Sequence, residues 1–139
     1  MHKMFGIALI VIALAMAVVP NFTDCQSQGL EIALPNGKTV PMKCHWTGQA
    51  EIALAAPILA VGAMMLTTKR KDTLRSLSIT GGVLGAVSLA IPTLIIGVCP
   101  TPTHLCHSLM YPSLLTMGGL VTGLGVLGVV VSQKMKDKG

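Results

Sequence analysis

The sequence predicts an all-α membrane protein, a bundle of four transmembrane helices built as two related helical hairpins. Three observations predict it. The 139 residues are 52% hydrophobic and 11% charged, against about 25% charged in soluble domains. The charges gather at Lys3, at 69–75, at 134–138 and between Asp24 and Glu51. Four apolar segments are left between them, and a charge in hydrocarbon is costly unless paired or wet, so such segments read as spans.

The first segment, 4–20, follows a basic start (His2, Lys3) and stops at Pro20. A span needs about 20 residues, so this one is short, and a cleaved signal peptide with small residues near Ala15–Ala17 is the alternative. Val18, Val19, Pro20 and Phe22 prolong the apolar run and no small-x-small site closes it, which favours a retained helix. The second segment, 49–67, contains Glu51 and Pro57. The third, 77–98, is rich in Gly and Ala and carries Pro92. The fourth, 109–131, has Pro112 near its start. Pro and Gly are tolerated in spans because neighbouring helices satisfy the freed backbone groups. The whole chain, 1–139, reads as one membrane domain.

Basic residues fix the orientation, because they stay on the cytoplasmic side. Lys69, Arg70, Lys71 and Arg75 join the second and third segments, Lys134, Lys136 and Lys138 follow the fourth, and Lys3 precedes the first. Both termini are therefore expected in the cytoplasm, with loops 21–48 and 99–108 outside. The net charge of +5 sits in short runs beside apolar segments, which suits anionic lipid and not nucleic acid. One Trp, one Tyr and two Phe leave little for base stacking.

In the first outer loop Leu30–Leu34 alternates apolar and polar residues, and Pro35-Asn36-Gly37 precedes Lys38-Thr39-Val40. That pattern predicts a small β-hairpin. A lone hairpin is marginal in water, and Cys25 and Cys44 flank it as a possible disulfide staple. The second outer loop is bracketed by Cys99 and Cys106. In each loop the second cysteine is followed by a histidine, His45 and His107. Asn21-Phe22-Thr23 matches a glycosylation acceptor but lies too near the membrane surface to be reached.

The cysteines admit three readings. The leading one is two structural disulfides, Cys25–Cys44 and Cys99–Cys106, with no cofactor and no catalytic residue. The second is thiol–disulfide exchange, because the layout resembles quinone-linked disulfide-forming membrane oxidases; quinone would then be the cofactor, although neither pair is a Cys-x-x-Cys. The third is a soft-metal site for copper or zinc, built from Met42, Cys44, His45, His104, Cys106 and His107. The Cys-x-x-Cys-His of a c-type haem is absent.

Glu51, about one turn into the second span, either reaches the membrane interface, pairs with His45 or His107, or contacts a partner. Trp46 is expected at the headgroup level, with Gln49 nearby. Gly81 and Gly85, like Gly119 and Gly123, are four apart and share a helix face. This small-xxx-small spacing lets helices pack closely, either within the chain or against a partner subunit.

The stretch Met42-Lys-Cys-His-Trp-Thr-Gly-Gln-Ala-Glu51, with Cys99-Pro and Cys106-His107 later and four spans overall, resembles bacterial membrane proteins catalogued as domain of unknown function 4418. The resemblance covers essentially the whole chain. It implies a bacterial or archaeal cell membrane and a partner among ABC-type transporter permeases with a large extracellular domain. It carries over no catalytic residue. With no phosphate-binding glycine loop and only short cytoplasmic parts, the expectation is a non-enzymatic accessory or structural subunit of a membrane complex.

Overall fold

A computed structural model of the chain describes residues 2–23, 31–41, 43–97, 103 and 106–134. Four long helices make the bundle: α1 His2–Thr23, α2 Lys43–Thr67, α3 Lys71–Ala90 and α4 Tyr111–Lys134. Short π-helical segments, Ile91–Ile95 and Cys106–Met110, follow α3 and precede α4. Four stretches, Lys3–Thr23, His45–Thr67, Lys71–Ile95 and His107–Lys134, are long and apolar enough to cross a membrane.

The first helix does not stop at Pro20, as the sequence implied; it runs through to Thr23. Proline removes one N–H donor near the helix end. Side chains past it bond back to the preceding turn, Asn21 Nδ2 donating to the Ala17 carbonyl at 2.6 Å and Thr23 Oγ1 to the Val19 carbonyl at 2.8 Å. The 21 residues of Lys3–Thr23 span about 31 Å at 1.5 Å per residue, enough for the hydrocarbon core. Helix α2 likewise begins at Lys43, ahead of the apolar run from 49, and α3 begins at Lys71, ahead of Leu77. Asp72 in the first turn of α3 favours that start through the helix dipole.

Between α1 and α2, β1 (Glu31–Ala33) and β2 (Thr39–Pro41) pair antiparallel, Ile32 opposite Val40. Gly37 turns the chain at φ +81°, and Asn36 Oδ1 accepts from the Lys38 N–H at 3.1 Å. Cys25 and Cys99 lie outside the described residues. Cys44 and Cys106 are described by backbone alone, in the first turn of α2 and at the head of the second π-helical segment.

The bundle is two close helix pairs, α1 with α2 and α3 with α4, joined by lighter contacts between α2 and α3 and between α1 and α4. In α1, α3 and α4 a series of buried positions alternates three and four apart. They are Gly6, Leu9, Ala13, Met16 and Pro20 in α1, and Leu74, Ser78, Gly81, Gly85 and Ser88 in α3. In α4 they are Leu114, Gly118, Val121, Gly125, Gly128 and Ser132. This is the 3.5-residue repeat of left-handed helix packing. Leu9, Ala13, Met16, Ala55, Ile58, Val61, Met65, Leu74, Leu77 and Val121 form the core. The outer faces are apolar too: Met4, Ile7, Val11, Leu14 and Val18 on α1, and Leu120, Val126, Leu127 and Val130 on α4. A surface of that kind belongs in lipid and not in water.

Close approach at glycines sets both pairs. A Cβ on Gly6 would lie 2.8 Å from the Gly62 carbonyl oxygen, and one on Gly62 would lie 2.9 Å from that of Gly6. A Cβ on Gly125 would lie 2.6 Å from Gly82 Cα. Gly119 and Gly123 do none of this: nothing lies within 4 Å of a Cβ at either. An intramolecular contact at these two positions is therefore corrected. Gly118, Gly125 and Gly128, on the neighbouring face, make it instead.

Replacing Gly62 with leucine should thus cost about 1–3 kcal/mol or more by overpacking the α1–α2 crossing. Gly123→Leu should leave stability within about 0.5 kcal/mol. Thermal unfolding of the two purified variants in the same detergent compares them directly.

Candidate functional site

Helix α2 puts Thr47, Glu51 and Ala55 one turn apart on the face turned into the bundle. Thr47 and Glu51 are both 0% exposed. On α3, Ser78, Gly81, Gly85 and Ser88 form a stripe of small buried residues, of which Ser88 reaches Glu51. Ser88, also 0% exposed, donates its hydroxyl to Glu51 Oε2 at 2.7 Å. Helix α4 closes over the pair at Gly118, where a Cβ would stand 3.2 Å from Ser88 Oγ. Three helices thus meet at one polar joint, about 9 Å along α2 from His45 at 1.5 Å per residue.

The end of α3 completes the site. Pro92 has no N–H for the carbonyl one turn back, and the helix widens into the π-helical segment. Its hydrogen bonds stretch accordingly: the Ile96 and Gly97 N–H groups both reach the Ile91 carbonyl, at 3.0 and 3.1 Å. Thr93 Oγ1 donates to the Leu89 carbonyl at 2.7 Å. Gly97 then ends the helix at φ +82°, the left-handed conformation in which glycine commonly terminates helices. Its carbonyl faces α2 and accepts from Thr47 Oγ1 at 2.6 Å. π-helical bulges of this sort are frequent at functional sites.

Glu51 is therefore enclosed by the bundle and, among the described residues, bonded to no histidine. Among the described residues, Ser88 provides its one hydrogen bond and its second oxygen, Oε1, is buried with no partner. A buried acceptor without a partner is uncommon and expensive. In a membrane bundle, a buried ionisable group marks a functional site by default.

Of the outer-loop candidates, His45, Trp46, Gln49 and His107 have described side chains. His45 meets Trp46 edge-on with ring centroids 5.5 Å apart, and Trp46 is exposed. Gln49 is exposed as well. His107 stacks on Tyr111 at 6.0 Å. Met42 and His104 lie outside the described residues, and with Cys44 and Cys106 they leave only His45 and His107 of the six soft-metal candidates with described side chains. Among the described residues no three His, Cys, Asp or Glu side chains gather closely enough to hold a metal. Gly81 faces Val61 and Leu9, whereas Gly85 faces Thr122 and Val121, so the two serve different neighbours. Sequence reasoning missed Ser88 and Gly97. Ser88 was accessible as the next step of the Gly81–Gly85 stripe.

An apolar bundle of four membrane-length helices with one polar joint defines the class: a small four-helix membrane-type protein. Within that class the chain belongs to the family described as Domain of unknown function (DUF4418), whose model matches residues 6–131. No curated protein and no solved structure matches it.

Ser88→Ala removes the one donor to Glu51 among the described residues and should destabilise the bundle by about 1–3 kcal/mol, the cost of stranding a buried polar group. Thr47→Val keeps the shape and removes one hydroxyl. It should cost about 1 kcal/mol and speed amide exchange at Ile96 and Gly97, as read by hydrogen-exchange mass spectrometry.

Proposed function

We propose that this chain is an integral membrane protein serving as a non-enzymatic accessory subunit of a membrane assembly, docked through the lipid-facing side of α4. One observation carries the reading. Gly119 and Gly123 stand one turn apart on that side with open space over both. Glycine inside a helix costs about 0.5–1 kcal/mol against alanine, and elsewhere this chain uses it for close helix contact. Two glycines with no contact inside the chain fit close approach by a helix from outside. Thr116 extends the strip and borders a groove of about 400 Å³ between α1 and α4, shared with Val19, Pro112, Ser113 and Met117. The family resemblance favours an ABC-type transporter permease as the partner.

The bases at the α2–α3 turn support an orientation with that turn and both termini in the cytoplasm of a bacterial or archaeal cell, against anionic lipid. The hairpin and the cysteines are then outside, where Cys25–Cys44 and Cys99–Cys106 serve as staples. We take the first helix as retained, since Leu9, Ala13 and Met16 fill the core against α2 and α3.

The chain expressed at native level should co-purify with a membrane protein from a mild detergent. Gly119→Leu combined with Gly123→Leu should abolish that association while leaving the unfolding midpoint unchanged. A wild-type chain that always isolates alone contradicts the reading. Non-reducing mass mapping should recover the two within-loop disulfides; free, exchanging thiols would replace the staples with redox chemistry.

A further inference from the structure

Among the described residues, the joint around Glu51 brings together oxygen groups from α2 and from the end of α3. Its members are a carboxyl, two hydroxyls (Thr47 and Ser88) and the Gly97 carbonyl. That carbonyl closes α3 and its π-helical extension, and a helix C-terminus carries about half a negative charge from its aligned peptide dipoles. The described bases Lys3, Lys69, Arg70, Lys71, Arg75 and Lys134 belong to the opposite end, at the α2–α3 turn and the outer turns of α1 and α4. Lys38, His45 and His107 belong to the Glu51 end, and Glu51 hydrogen-bonds to none of them. Among the described residues, nothing partners the buried Glu51 Oε1. A carboxylate shut into a bundle is tolerated when a counter-charge meets it, and this site has acceptors in excess and a charge to be matched.

We propose that Thr47, Glu51, Ser88 and the Gly97 carbonyl form a binding site for one monovalent alkali cation. A single carboxylate matches a single positive charge; calcium and magnesium draw on more carboxylates or on phosphate. The remaining ligands are neutral oxygens of the kind that hold alkali ions in membrane proteins, where interrupted helices turn their C-terminal carbonyls towards the ion. Pro92 and Gly97 provide that interruption. The cation fills the position facing Oε1, joins α2 to the end of α3, and so ties the two helix pairs together at the end that bears the hairpin.

The test uses the full-length chain in lipid nanodiscs at fixed pH and ionic strength, with sodium, potassium or choline chloride. A ligand that binds only the folded state raises the unfolding midpoint progressively with its concentration. The expected result is a rising midpoint in sodium or potassium relative to choline, lost in Glu51→Gln. Ser88→Ala removes one of the site's own oxygens and should raise the half-saturating concentration at least about tenfold, since losing even a group that only orients a metal ligand costs that much. Should Glu51→Gln fail to fold, equilibrium binding of radioactive sodium and rubidium to the wild-type chain decides: one ion per chain supports the site, and none overturns it. Equal midpoints in the alkali and choline salts, a midpoint that follows pH alone, or a salt response persisting in Glu51→Gln would each overturn it as well.

Discussion

A carboxyl group enclosed by apolar helices must find its hydrogen bonds inside the bundle, because lipid offers none. Glu51 finds one in Ser88, on a different helix pair. Among the described residues, that bond and the Thr47–Gly97 bond beside it tie two halves that otherwise meet lightly. The rest of the arrangement depends on this joint. It fixes the rotation of α2, the register of α2 against α3, and the level at which α3 must end.

Each half holds together by a different device, close backbone contact at glycine. Gly6 against Gly62, and Gly82 against Gly125, bring helix axes nearer than any side chain would allow. In lipid, where apolar side chains gain nothing by leaving the solvent, such van der Waals contact replaces the hydrophobic effect as the source of association. Two mechanisms therefore divide the work. Small residues weld α1 to α2 and α3 to α4, and polar groups tie the welded pairs. The two π-helical segments lie where these elements change direction, at the end that also carries the β-hairpin.

Much of this was legible in the residues. Charge-free apolar runs mark the four helices, and Asn36-Gly37 marks the turn between Glu31–Ala33 and Thr39–Pro41. Hydropathy placed the helix starts too late because Cys44–Gly48 and Asp72–Ser76 are helical without being apolar. It ended α1 too early because Pro20 reads as a stop, while the helix runs on to Thr23. The glycine face of α4 was chosen by a single four-residue spacing, Gly119 to Gly123. The buried seam follows the 3.5-residue repeat sustained over the helix, Gly118, Val121, Gly125, Gly128 and Ser132. One spacing gives a face; only the full repeat says which face turns inward. Glu51 was recognisable as unusual, but its partner lies 37 positions away, and no local pattern names a contact of that range.

The central claim, that Glu51 and Ser88 act as one joint, is tested most directly by a double-mutant cycle on Glu51→Gln and Ser88→Ala, with unfolding free energies measured in the same bilayer mimic. The account predicts a coupling energy of about 0.6–1.7 kcal/mol, the range of interhelical hydrogen bonds in membranes, or above it. Additivity within about 0.3 kcal/mol would contradict it.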